Sequence, residues 1–301
     1  MAIYRLNDYF VKFLFGSDQN KKLCLSFINA ALGNEKYYFT DIVFVNKDED
    51  PKKQKDKPIR LDIKGKLNTG AFIDIEVQVQ NYKYMAERSL YYWARMYGQQ
   101  IVEGEDYVEL KPAIAINLLA FNMLPEEEWI NSYRVYNARS HKLLTEHLDI
   151  IYIEIKKLLN KGLKDMNPIE QWGTYFSGRY DDETLKEVPI LAEALKAEMH
   201  FTADEVAFYE YEMRKKEVMD RISFANQARR EGEAAGEARG KELGRAEGRA
   251  EGEAVGKEIG HKECQLQDVR NLMDTFNIPA EKAMQALKIP PEEQAELLPL
   301  L

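Results

Sequence analysis

The chain has 301 residues, 45% hydrophobic and 31% charged, with 51 acidic against 42 basic side chains and a formal net charge of -9. That balance argues against a protein that grips nucleic acid by bulk charge, because phosphate contacts need Lys and Arg, but it leaves room for an enzyme with a local basic strip. No apolar run is long enough to span a bilayer, and Met1-Ala2-Ile3-Tyr4-Arg5 is no charged-then-apolar leader, so no membrane is expected and the expected location is the cytoplasm.

Residues 7–15 place Phe10, Phe13 and Leu14 on one helical face, with Asn7 as cap and Gly16 as stop. A second helix is expected from Gln19 to Leu32, and a strand from Tyr38 to Val45. A polar loop then runs from Asn46 to Pro58. Residues 71–80 alternate strictly: Ala71, Ile73, Ile75, Val77 and Val79 share one face, and Phe72, Asp74, Glu76, Gln78 and Gln80 the other. That pattern predicts a half-buried strand.

The run Ile59-Arg60-Leu61-Asp62-Ile63-Lys64 alternates in the same way, and Leu67-Asn68-Thr69-Gly70-Ala71 has the chemistry of a hairpin loop with Gly70 left-handed. If Leu67 faces Ala71, the register sets Asp62 opposite Glu76, Lys64 opposite Asp74 and Arg60 opposite Gln78. Carboxylates facing one another repel unless a cation lies between them. The arrangement therefore fits either a solvated polar face or an oxygen-rich site suited to magnesium or manganese.

Beyond Gln80 the period lengthens, and Met85, Leu90, Trp93, Met96 and Tyr97 predict a helix from Tyr82 to Ile101. Ala113 to Phe121 reads as a central strand, and His147 to Ile155 as a further one. Helical signals continue from Lys157 to Phe224, with breaks expected at Pro168, Gly173, Gly178 and Pro189. The order of elements predicts an α/β core on one mixed sheet flanked by helices. Basic candidates near the polar face are Lys52, Lys53, Lys55 and Lys57 before it and Lys83, Arg88 and Arg95 after it. Cys24 and Cys264 are far apart, and His141, His147, His200 and His261 have no spaced ligand partners, so neither a disulfide framework nor a zinc site is expected.

Glycine then recurs every fourth residue from Gly232 to Gly260 with charged residues and alanine between. On a helix such a stripe precesses about 40° per repeat. Small residues at that spacing allow close helix approach, yet each interior glycine costs about 1 kcal/mol. A helix that forms on self-association, giving a homo-oligomer, and a charged linker are both open readings. Two amphipathic helices, Gln265 to Phe276 and Asn277 to Leu287, and a short segment after Pro290-Pro291 follow. The acidic Glu292, Glu293 and Glu296 disfavour a groove-reading helix there.

Five segments in order, Asp8 to Gly16, Arg60-Leu61-Asp62, Asp74 to Gln78, Glu87 to Tyr92 and Gly104 to Tyr107, resemble the Rpn family of recombination-promoting nucleases and transposases within the PD-(D/E)XK nuclease superfamily. The resemblance implies a restriction-endonuclease-like core in residues 1–160. A helical extension (161–228), the glycine repeat (229–262) and a small helical segment (263–301) would follow. It further implies a DNA endonuclease linked to recombination or mobile elements, with Asp62 and Glu76 holding Mg2+ or Mn2+. Gln78 takes the place of the superfamily's lysine, and Leu61 stands where its proline would be. Asp8 is an accessory candidate as outer ligand or water orienter. Asp74 is a weaker ligand candidate or a salt-bridge partner of Lys64. An amide carries no charge and is no general acid or base, which leaves Lys64, Lys83 or Arg88 to supply one. The alternative is a nuclease-fold binding or assembly protein with weak or no turnover that self-associates through its repeat.

Overall fold

The computed structural model describes residues 3–33, 38–45, 63–81 and 83–301, in two compact units, Met1–Ile222 and Ser223–Leu301. Helix α1 (Asp8–Phe15) starts as its sequence implies, with the Asn7 side chain accepting from the Tyr9 and Phe10 amides at 3.0 and 3.2 Å. It buries Phe10, Val11, Leu14 and Phe15. Helix α2 (Lys21–Leu32) follows a short 3-10 turn and ends at left-handed Gly33.

Among the described residues six strands form one mixed sheet in the order β1-β2-β3-β4-β6-β5. They are β1 (Ile42–Phe44), β2 (Ile63–Leu67), β3 (Phe72–Gln78), β4 (Ala113–Leu119), β5 (Ile130–Tyr133) and β6 (Leu148–Glu154). Pairs β3–β4 and β4–β6 are parallel and the rest antiparallel. The hairpin closes as its turn chemistry requires: the Leu67 amide donates to the Ala71 carbonyl at 2.8 Å, and Gly70 has φ +87°. Lys64 lies opposite Asp74, as the pattern predicts. The expected strand from Tyr38 shrinks to the three residues of β1, and β5 is an element the alternation does not announce.

The half-buried expectation for β3 needs correcting. Its apolar face, Ile73, Ile75 and Val77, packs in a large cluster with Phe10, Leu14 and Phe27. The polar face is covered too, because helix α3 (Met85–Gly98) lies over it, joining Met85 to Ala115, Leu119, Ile150 and Tyr152. Asp74 and Glu76 are each 3% exposed.

Helices α4 (Pro168–Ser177), α5 (Asp182–Leu185) and α6 (Pro189–Ala203) complete the first unit. Trp172, Tyr175 and Phe176 of α4 share one interior with Phe15 and Phe27, so the core is continuous across residue 160. Pro168 and Pro189 open helices and Gly178 caps one. Gly173 breaks nothing: it sits inside α4, where a Cβ would lie 2.9 Å from the Trp129 ring and 3.0 Å from Leu158. Buried Arg5 ties the N-terminal segment down, donating to Glu198 and Asp182, each at 2.7 Å.

Helix α7 (Glu205–Phe276) carries Tyr211, which is buried against Phe201 and Phe208 and accepts from the Tyr4 amide at 2.7 Å. The eight repeat glycines are helical, within α7, and open space surrounds the position of a Cβ at each. In the second unit, α8 (Ala280–Ala286) and α9 (Pro291–Leu297) close a small cluster of Val269, Ala283, Met284, Ile289 and Leu297.

Candidate active site

A cleft of about 670 Å³ opens at the C-terminal end of β3. Strand alternation aims Glu76 and Gln78 the same way, and Gln78 Nε2 donates to Glu76 Oε2 at 3.3 Å. From α3, the Arg88 guanidinium approaches the same Glu76 oxygen at 3.9 Å. The first turn of α1 contributes Asp8 to the cleft wall. Four of the sequence candidates, Asp8, Glu76, Gln78 and Arg88, therefore line one space.

Behind them the α3 face is held by hydrogen bonds. Asn117, the register partner of Glu76 on β4, accepts from the Ser89 hydroxyl at 3.0 Å and donates to the Ile151 carbonyl at 3.4 Å. Since Ser89 follows Arg88, this bond fixes the turn of α3 that presents the guanidinium. Burial pushes the Tyr152 phenol up, with the Ser89 hydrogen bond opposing and nearby Tyr133, Glu87 and Glu76 adding to the rise. It stays a neutral phenol beside the carboxylate.

The opposite wall comes from the first part of α7, where Arg214, Lys215 and Arg221 face the cleft with Glu217 between them. Arg214 reaches Asp8 at 3.6 Å and Glu217 at 2.9 Å, while Arg221 reaches Glu217 at 2.7 Å. These contacts, the Arg214 hydrogen bond first, hold the Glu217 carboxyl below its usual range. Sequence reading missed this wall. The signal available was the run Arg214-Lys215-Lys216 with Arg221 one heptad after Arg214, on a helix.

Other expected site residues fall elsewhere. Asp74 and its register partner Lys64 lie further back along the hairpin and do not line the cleft. Nor do Lys83 and Arg95. Asp62, Arg60 and the lysines at 52, 53, 55 and 57 lie outside the described residues. A second cavity, of about 450 Å³, sits by Pro112 and Ile114, and its Arg134 and Asp149 are paired with each other at 2.6 Å.

A family model for PD-(D/E)XK nuclease family transposases matches residues 5–228. The chain belongs to that family. No curated protein and no solved structure matches it. The family match takes in α7 as far as the basic wall, so the PD-(D/E)XK unit of this transposase-family chain includes Arg214 and Arg221 as well as the β3 carboxylate.

The cleft chemistry fits the divalent metal typical of such nucleases. The oxygens that could hold it are those of Glu76, Asp8 and the Gln78 amide, which line the cleft and form a hard-oxygen set suited to magnesium or manganese rather than zinc. Among the described residues no three His, Cys, Asp or Glu side chains converge as a metal cluster. Among the described residues, no helix is long and apolar enough to cross a membrane.

Proposed function

We propose that this chain is a divalent-metal-dependent DNA endonuclease that hydrolyses phosphodiester bonds in recombination or mobile-element processes in the cytoplasm. The observation that carries the reading is Glu76: a carboxylate buried to 3% exposure, aimed into a cleft whose rim is basic, and touched by an amide and a guanidinium. Burying such a group costs several kcal/mol unless it is compensated, so its position implies a task that needs it.

In this reading Asp62 and Glu76 hold Mg2+ or Mn2+, with Asp8 in the outer circle. A bound divalent ion lowers the pKa of water and stabilises charge on phosphate oxygens. Gln78 orients a water or a phosphate oxygen by hydrogen bonding, and carries no proton to transfer. Arg88 supplies the positive charge that lysine supplies elsewhere in the superfamily. Arg214, Lys215 and Arg221 receive DNA phosphates across the cleft, which reconciles an acidic chain with a nucleic-acid substrate.

The testing experiment is nicking of supercoiled plasmid by the purified chain, with and without magnesium. Wild type should nick only with the metal, and Asp62→Ala and Glu76→Gln should each abolish nicking while remaining folded. Nicking by either variant at the wild-type rate would sink the assignment. A second reading, a nuclease-fold assembly protein without turnover, draws on Gln78 in the lysine position and on the open glycine stripe of α7. It predicts no nicking under any metal.

A further inference from the structure

Helix α3 has a flank that the cleft does not use up. Arg88, Tyr91, Tyr92 and Arg95 fall within about 100° of one another around the helix, while Met85, Ser89 and Met96 are buried beneath it, and Tyr84 immediately precedes the helix as its N-cap. Arg88 stands where this flank meets the cleft. Its guanidinium carbon lies 5.1 Å from the centre of the Tyr92 ring, and Tyr92 sits 5.8 Å from the Tyr91 ring in a tilted pair. At the other end the Lys83 ammonium lies 5.3 Å from the Tyr84 ring.

Two of these rings are solvent-facing, Tyr84 at 64% and Tyr91 at 56% exposed. Tyr84 also holds φ +68°, a left-handed backbone that a bulky aromatic residue rarely adopts, and its carbonyl accepts from the Arg88 amide at 3.0 Å. Strain of this kind persists where the surroundings over-determine it, and it clusters at binding sites.

We propose that this flank of α3 is a stacking track for an unpaired DNA strand leaving the cleft. The inference rests on the DNA-cutting reading of the cleft. Tyrosine rings stack on the faces of unpaired bases without regard to sequence, whereas paired bases in a duplex are already stacked and cannot offer those faces. Lys83, Arg88 and Arg95 match the phosphate charge between bases and outnumber the one carboxylate along this flank, Glu87, which lies a turn before Tyr91. The substrate class that follows is DNA with a single-stranded segment beside the cut: a flap, a frayed end or a gap.

The test is fluorescence anisotropy of the full chain in EDTA, with a fluorescein-labelled oligothymidine strand and a blunt duplex of the same length as probes. Tyr91→Ala should raise Kd for the single strand by about five- to 150-fold, and Tyr91→Phe should leave it near wild type. Tyr84→Asn, which tolerates the left-handed backbone, should weaken single-strand binding in the same direction. Duplex affinity should move little in all three. An equal loss on both probes, no loss on either, or no binding of the single strand by wild type overturns the track. So does a change of mass in light scattering for Tyr91→Ala, which would make a second copy of the chain the occupant. Magnesium-dependent plasmid nicking by wild type, scored in parallel, tells whether the reading of the cleft falls with it.

Discussion

The Gln78 amide nitrogen lies 3.3 Å from the Glu76 carboxylate oxygen that Arg88 approaches from α3 at 3.9 Å. One oxygen thus meets an uncharged donor from its own strand and a cation from the covering helix. Gln78→Lys would place a second cation beside that oxygen, so the variant is expected to cut no faster than wild type in single-turnover assays at saturating magnesium. Arg88→Ala should lose about 10²- to 10³-fold in rate, the usual effect of deleting one charge-stabilising donor. Adding Gln78→Lys to Arg88→Ala should then restore part of that loss. A clear gain by Gln78→Lys alone would show that the amide is only a poorer substitute for lysine.

Gly173 faces the Trp129 ring so closely that a Cβ would stand 2.9 Å from two of its carbons. Alanine would ordinarily favour the middle of a helix by about 1 kcal/mol. Here overpacking against an indole costs about 1–3 kcal/mol, and Leu158 blocks the other side at 3.0 Å. Gly173→Ala is therefore expected to lower stability in urea denaturation despite its better helix propensity. A stabilised variant would mean that the Trp129 loop yields freely.

The hairpin was legible because Gly70 and strict alternation both act locally, and its register follows from loop length alone. Asn7, Pro168 and Pro189 announced helix starts for the same reason. What the sequence concealed was tertiary. Nothing in Asp74, Glu76 or Gln78 tells that a helix covers them, since a polar face on an alternating strand reads as solvated. Arg214 and Arg221 lie far along the chain from Glu76, and the packing of Tyr211 against Phe201, its hydrogen bond from the Tyr4 amide and the Arg214–Asp8 ion pair bring their helix to the cleft. β5 stayed hidden because it is short and half-exposed, with Ser132 and Tyr133 at its end. The family resemblance pointed to Glu76 and Gln78, which line the cleft, but not to the wall opposite them.

Cys24 and Tyr175 stand, with Tyr152, among the buried groups that limit the fold at alkaline pH. Burial pushes the Cys24 thiol and the Tyr175 phenol well above their ordinary values of 9.0 and 10.0, and the Glu198 charge adds to the rise at Tyr175. Both groups stay protonated in the folded chain when the unfolded chain has released its protons. Their contribution is fully present below pH 9 and is lost as pH rises, first through the thiol and then, above pH 10, through both. These two groups contribute at most about 2.7 kcal/mol per pH unit, and the other raised phenols, Tyr152 first among them, add to it above pH 10. Urea midpoints measured across the alkaline range should fall in that order, and Cys24→Ala should remove the part of the decline below pH 10. A flat profile up to pH 11 in wild type would contradict this account.

The eight glycines of α7 have no neighbour within 4 Å of an added Cβ, so substitution there tests what the stripe is for. In a solvated helix of one chain, Gly244→Ala and Gly248→Ala should each stabilise by about 0.5–1 kcal/mol, because alanine restricts the unfolded chain and suits the helix. If two copies meet along the stripe, the added methyls separate the helices and the gain in helicity comes with a loss of mass in light scattering. The two effects are measured on the same double variant by circular dichroism and size-exclusion chromatography. A chain ending at residue 228 serves as the reference, and it is expected to keep the folded core, since the apolar interior of the first unit draws on no residue beyond Tyr211. Rising helicity with mass unchanged from wild type would assign the stripe to a single-chain helix; rising helicity with mass falling to that of a monomer would assign it to self-association.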